Sequence, residues 1–347
     1  MSDIGNRKED HINICISERV SPDYCYWDDI ILVHEAVPEI DMDDIDTKTR
    51  VLGRELEFPL IVTAITGGFP GAVKINGNIA EACSRLGIGM GVGSQRASLE
   101  GGERGSFEVV KDHDVPLVIA NIGAPQLIDQ PGKKAFDSSK IGDAVDMIGA
   151  DALAIHLNFL QEVVQPEGDT CSKGCLDRMR DVCRSHKVLA KETGAGISRQ
   201  TAERLKGAGV AAIDVAGMGG TSFSAVELHR ARSTGDRARE SIGSSFFDWG
   251  IPTPVSVMEA DVGLPMVASG GIRNGLHVAK ALSLGACCAG AANLVLKEAM
   301  QSADAVEHRL LDIIHELRAA MMLTGSTSVE QISSRRKIIT GKCREWL

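Results

Sequence analysis

ALAIHLNFLQEVVQPEGDT, residues 152–170, begins as an alternating strand. Leu153, Ile155 and Leu157 point one way, and Ala154, His156 and Asn158 the other, because strand side chains alternate between faces. Just past the strand come Gln161 and Glu162, followed by a loop, Gln165-Pro166-Glu167-Gly168-Asp169. An imidazole, two kinds of side-chain amide position and a carboxylate therefore gather at one strand end. Any one of these residues alone would read as a satisfied core histidine or a solvated loop. Together, at a strand end, they read as an active site.

The same rhythm extends in both directions. Apolar runs bounded by glycine or polar residues predict strands at Leu60–Ile65, Ile88–Val92, Leu117–Asn121, Ala152–Leu157, Val188–Glu192, Ala211–Val215, Met266–Ala268 and Ala286–Ala291. Helical stretches alternate with them, at Gly71–Leu86, Ser139–Ile148, Cys175–His186, Ser198–Ala208, Asn274–Leu284 and Ala303–Met322. Eight β-then-α units in one α/β chain predict a single (β/α)8 TIM barrel rather than an open doubly wound sheet. The expected organisation is an N-terminal extension over 1–55, a barrel over 56–323 and a tail over 324–347. The extension starts with an amphipathic helix carrying Ile12, Ile16 and Val20 on one face and ending at Ser21-Pro22. The sixth unit is irregular, with a long loop or insertion between Gly220 and Pro254. Long loops in compact domains tend to be lids or interaction elements.

Composition narrows the function. The 347 residues carry a net charge of −10 and only 4% aromatics, which argues against a basic or base-stacking nucleic-acid surface. No stretch approaches the length of a membrane span. Nine cysteines with no visible secretory leader predict free thiols in the reducing cytosol. Cys171, Cys175 and Cys183 do not have a common zinc spacing. Cys287 and Cys288 read as small core residues.

In a barrel the strand C-termini hold the site. Glycine-rich ends follow strands 6, 7 and 8: Gly217-Met218-Gly219-Gly220-Thr221, Ser269-Gly270-Gly271-Ile272-Arg273 and Gly290-Ala291-Ala292. There backbone N–H groups can approach an anion, so a bound phosphate is expected. Lys191 lies at the end of a strand that should be buried on both faces. A buried ammonium needs an anionic partner, unless it reaches solvent from the strand end. Arg96, with Arg7 and Lys8 if the extension folds over the mouth, could hold a second anion.

Most of these residues sit in MGVGSQR (90–96), ANIGAPQL (120–127), HLNFLQEVVQPEGD (156–169), KETGAGIS (191–198), DVAGMGGTS (214–222) and ASGGIRNG (268–275). In register, and over nearly the whole chain, the sequence resembles the type 2, FMN-dependent isopentenyl diphosphate isomerases. The resemblance implies an FMN across the barrel mouth. Ala64, Ile65, Thr66, Ser94, Asn121 and Lys191 would contact the ring system, Thr221, Gly271, Arg273, Ala291 and Ala292 would lie around the ribityl phosphate, and Ala216 and Ile272 would also bind the cofactor. Arg7, Lys8, Ser94, Gln95 and Arg96 would hold the diphosphate of isopentenyl or dimethylallyl diphosphate, with Gln161 beside its carbon chain and Glu162 binding Mg²⁺. Gln161, His156 and Lys191 would be catalytic, Lys191 meeting the negative charge of reduced flavin. NADPH or another reductant would prime the flavin, and the protein would be a cytoplasmic homo-oligomer. Ile65 stands where methionine is usual in the family, Phe159 where proline or a small residue is, and Ala216 where serine is.

Two other functions share features of this sequence. A 2-hydroxy-acid oxidase would use the same phosphate-binding half, but it needs a His–Arg pair after strand 7 that is not found. A binding protein for isoprenoid diphosphates would bind without turnover and needs no flavin-facing lysine.

Overall fold

The computed structural model describes residues 3–347; Met1 and Ser2, the start of the expected extension, lie outside the described residues. Eight parallel strands close into a barrel. Numbered around the barrel, they are β1 (Leu60–Val62), β2 (Gly89–Gly91), β3 (Val118–Gly123), β4 (Ala152–His156), β5 (Val188–Lys191), β6 (Ala212–Asp214), β7 (Met266–Ser269) and β8 (Cys288–Ala291). Closure comes from β8 on β1, with Ala289, Gly290 and Ala291 opposite Leu60, Ile61 and Val62. Each strand lies within the range that the sequence predicts, or runs one or two residues past it.

Alternation along the strands sorts side chains into two layers. Leu153 and Ile155 pack outward against the helices, while Ala152 and Ala154 join Ile61, Ile119, Leu189 and Val267 inside the barrel. The inner cluster continues into Val51, Leu52 and Leu56. These belong to a hairpin, Thr49–Val51 with Arg54–Leu56, which plugs the N-terminal end of the barrel. Lys187 Nζ donates to Leu52 O at 2.7 Å, and Arg54 pairs with Asp151; Lys187 and Asp151 each immediately precede a strand, β5 and β4. With the bottom closed, the open mouth is at the strand C-termini.

Helix boundaries follow local chemistry. Asp137 and Ser198 accept from the N–H groups of Lys140 and Thr201 at two N-termini, and Gly87, Gly149 and Gly209 end helices in the left-handed conformation. Helix α1 (Asp3–Ser17) ends four residues before Ser21, and Ile12 and Val20 are buried as expected. It lies over the mouth. Helix α2 (Phe159–Val164) follows β4.

The connection after β6 is not the loop expected from sequence. It holds two helices, α3 (Phe223–Thr234) and α4 (Arg237–Ser245), before the barrel helix Thr253–Glu259. Ser222 caps α3, Gly235 ends it, and Asp236 caps α4, so the run Thr234-Gly235-Asp236 is a stop followed at once by a start. The C-terminal strand Lys337–Ile339 pairs antiparallel with Ile30–Leu32, tying the end of the chain to the extension. No described helix is long and apolar enough to cross a membrane.

Candidate active site at the barrel mouth

Strand register builds the centre of the site. Gly123 on β3 lies opposite His156 on β4, His156 opposite Lys191 on β5, and Lys191 opposite Asp214 on β6. A cavity of about 420 Å³ opens above them, within the usual range for small-ligand sites. It is roofed by Arg7, Lys8, His11, Ile12 and Cys15 of α1 and by Phe223 of α3.

Lys191 has its anionic partner within the chain. Its Nζ lies 2.7 Å from Asp214 Oδ2 and 3.4 Å from Ser269 Oγ. Ser269 Oγ also donates to Asp214, which is fully buried. The ammonium therefore does not depend on a bound anion to offset its burial. Asp214 lay in plain view after Ala212-Ile213, and a carboxylate ending a fully buried strand beside a buried lysine was the signal for it.

His156 is held neutral. Burial, with the nearby Lys191 and Lys8 charges, pushes its imidazole down to about 3. Asn121 Nδ2 donates to Val92 O at 3.0 Å, which turns its Oδ1 toward His156 Nδ1 at 2.8 Å. In that network Nδ1 carries the proton and Nε2 is left as an acceptor. Gln95 supports this from behind. Its Oε1 accepts from Asn121 N at 2.8 Å and its Nε2 donates to Ala144 O at 2.8 Å. Gln95 is fully buried and does not line the cavity, which corrects its expected place among the diphosphate ligands.

Gln161 and Glu162 diverge along α2. Gln161 Nε2 donates to Glu227 Oε1 at 3.1 Å. Glu227, on α3, is fully buried and also meets Arg230 Nη1 at 2.6 Å and His11 Nε2 at 2.9 Å. Burial alone would raise its carboxyl, but His11 and Arg230 outweigh it and hold it at about 2. Nothing in the sequence singled out Glu227, because its segment was expected to be a loop. Arg239 of α4 donates to Val163 O and Gln165 O, each at 3.0 Å, so the hairpin also clamps the end of α2. Phe159 packs against the barrel core and leaves Gln161 on the cavity wall.

Glu162 is buried and accepts from Asn158 Nδ2 at 2.8 Å and from Asp169 N at 2.7 Å. Burial pushes its carboxyl up, and those two hydrogen bonds pull it partly back. Asn158 Oδ1 is buried with no hydrogen-bond partner among the described residues. A carboxylate and an orphaned amide oxygen side by side are hard oxygen donors suited to a cation such as Mg²⁺.

The cations of the mouth are already engaged. Lys8 Nζ donates to Gly67 O at 2.5 Å and Ser94 O at 2.6 Å, and burial, with Arg7 alongside, holds it down at about 7. Arg7 meets Glu167 at 3.2 Å. Arg96 meets Asp169 at 2.7 Å and Glu100 at 3.2 Å.

The glycine-rich ends come together on the opposite wall. A Cβ on Gly271 (φ +74°) would lie 2.7 Å from Gly219 O, and one on Gly220 would lie 2.7 Å from Gly271 N. The loops after β6 and β7 thus touch backbone to backbone, which only glycine allows. Ala216 also sits in the left-handed region, at φ +34°, a strained position at the cavity wall. Thr221, Ile272, exposed Arg273, Ala291 and Ala292 line this end, and Ala64, Ile65, Thr66, Ser94 and Asn121 line the floor. A glycine-rich cavity wall, with a buried lysine lining the same cavity, fits the phosphate and ring of a flavin mononucleotide. Of the residues singled out from sequence, all but Gln95 reach this one cavity.

A family model described as FMN-dependent dehydrogenase matches residues 176–339. The chain is 46% identical over 345 residues to the isopentenyl-diphosphate delta-isomerase of Thermoplasma volcanium, with 99% of each chain covered. It is 47% identical to that of Thermoplasma acidophilum, again with 99% of each covered. For the enzyme of Archaeoglobus fulgidus the identity is 45%, over 98% of this chain and 97% of the relative.

Proposed function

The chain belongs to the FMN-dependent, type 2 isopentenyl-diphosphate delta-isomerases, and on that premise we propose that its barrel mouth interconverts isopentenyl and dimethylallyl diphosphate. The observation that carries this is the placement of His156, Gln161, Glu162 and Lys191 around one cavity with Arg7, Lys8 and Arg96 at its rim. The reaction adds one proton at the terminal alkene carbon and removes one from the carbon two positions away. The double bond shifts with no net oxidation. FMN in its reduced form, primed by NADPH or another reductant, would supply proton donor and acceptor capacity for this shift.

The protein's residues do the rest. Lys191, oriented by Asp214 and Ser269, presents its ammonium at the cavity wall, where an anionic ring would be stabilised. Neutral His156 offers an acceptor at Nε2. Gln161, held by Glu227, faces the carbon chain, and Ile12 and Phe223 give that part of the cavity an apolar roof. Excluding water there protects a carbocation-like species from capture. Arg7, Lys8 and Arg96 would take the diphosphate, and Glu162 with Asn158 would hold a Mg²⁺ that supplies further positive charge.

The test is an anaerobic assay of the purified protein with isopentenyl diphosphate, Mg²⁺ and reductant, after measuring flavin absorbance. Dimethylallyl diphosphate formed with catalytic reductant, abolished by chelation and restored by Mg²⁺, is the expected result. A protein that cannot be loaded with FMN, or that turns over only with stoichiometric oxidation, overturns the proposal.

A further inference from the structure

Behind the loop after β7 lies a second cluster that the isomerisation does not use. Cys25 Sγ, Asp28 Oδ1 and His277 Nε2 lie within 4.8 Å of one another. Cys25 and Asp28 come from the extension, and His277 from helix α5 (Gly275–Ser283), 252 positions further on. We propose that these three side chains form a site for a thiophilic divalent metal of the zinc type, separate from the Mg²⁺ position at Glu162.

Both partners face the same ring nitrogen. Cys25 Sγ is 4.0 Å and Asp28 Oδ1 3.9 Å from His277 Nε2. The other nitrogen, Nδ1, is 3.2 Å from Gly271 O and can only donate to it. A Cys–His–Asp relay would need thiol and carboxylate on opposite nitrogens. Here the three atoms converge on a point, and Nδ1–H bonded to a carbonyl is the usual support of a metal-ligating histidine. With metal–sulfur and metal–nitrogen bonds of about 2.3 and 2.0 Å, tetrahedral ligand atoms stand roughly 3.4–3.6 Å apart. The two separations from His277 Nε2, 4.0 and 3.9 Å, need a closure of about half an ångström, and the thiol and carboxylate lie within 4.8 Å of each other.

The neighbourhood is built for rigidity on one side and access on the other. His277 is buried, stacked on Trp27 with ring centroids 6.3 Å apart, and Trp27 Nε1 donates to Gly270 O at 3.0 Å. Lys280 is committed to Trp27 O at 2.8 Å. Asp28 is 72% exposed, so a fourth position opens to water. Thiolate and carboxylate together neutralise a divalent ion. The bound metal would fasten the extension to the loop carrying Gly270, Gly271 and Arg273, and so stiffen that wall of the cavity from behind.

The FMN-loaded protein, stripped with a chelator and dialysed against a small excess of Zn²⁺, is passed over a desalting column and its metal counted by mass spectrometry. Wild type and Glu162→Gln should each retain one zinc per chain. Cys25→Ser and Asp28→Asn should retain at least tenfold less at the same free Zn²⁺, with unchanged flavin content showing that they fold. Co²⁺ should give a thiolate charge-transfer band in wild type and none in Cys25→Ser, read as a difference spectrum against the metal-free holoprotein. Zinc retention equal in wild type and Cys25→Ser, or absent from wild type, overturns the proposal.

Discussion

Replacing Glu227 with glutamine tests how the helical hairpin holds the catalytic wall. The carboxylate is fully buried between Gln161, Arg230 and His11. Two routes give the size of its contribution. Its carboxyl is held at about 2 against an ordinary 4.5, a gap worth about 3 kcal/mol at neutral pH. Breaking a buried ion pair costs roughly 3–5 kcal/mol. Arg230 keeps Glu167 at 3.2 Å and is 18% exposed, which favours the lower end. Glu227→Gln should therefore lose about 3 kcal/mol at pH 7. The sign follows from the depressed carboxyl. Its stabilisation is complete above the ordinary value of 4.5 and is lost as pH falls through about 2. Urea unfolding of both proteins at pH 7 and pH 3 should show the gap shrinking by more than half at the lower pH. Turnover should fall as well, because a single amide oxygen cannot accept from Gln161, His11 and Arg230 as the two carboxylate oxygens do. An equal gap at both pH values would refute the ionic account and leave only packing.

Lys191→Met should cut turnover at least 100-fold and, by stranding Asp214, cost about 3–5 kcal/mol; adding Asp214→Asn should recover most of the stability in urea melts but none of the turnover. Gly271→Ala forces a Cβ to 2.7 Å from Gly219 O at φ +74°, so flavin bound per chain, read by absorbance, should fall at least tenfold. Burial, with Arg7 alongside, holds Lys8 down at about 7, so a diphosphate should raise it. Calorimetry near pH 7.5 in buffers of different ionisation enthalpy should then show proton uptake on substrate binding, and Lys8→Met should abolish it.

The barrel is legible in the sequence because apolar runs bounded by glycine or polar residues recur in alternation with helical stretches, and long-range pairing only has to close what each unit already presents. The strand-end residues are legible for the same reason, since each lies a fixed step beyond an apolar run. Glu227 is not legible. Its helix lies in the long irregular stretch after β6, and its partners Gln161 and His11 come from two remote segments. The helix boundaries at Thr234-Gly235-Asp236 were visible, but the low contrast between apolar and polar faces in α3 hid the helix. Gln95 misled because adjacent residues at a strand end look alike in sequence, while the turn after β2 sends Ser94 and Arg96 to the cavity and Gln95 inward.

The paired state of the mouth bears on how it would take a diphosphate. Arg7 and Arg96 have carboxylate partners, and Lys8 has two carbonyls, so an incoming anion exchanges partners rather than filling a void. Asp169 is the pivot of that exchange. Its carboxylate is shared between Arg96 and Lys133, each within 2.8 Å, while its backbone N–H is bonded to Glu162. A cation at Glu162 and an anion at Arg96 would therefore pull on the same residue, one through its main chain and one through its side chain. Metal and diphosphate held this way should bind more tightly together than separately, because the first to arrive already bears part of the cost of moving Asp169.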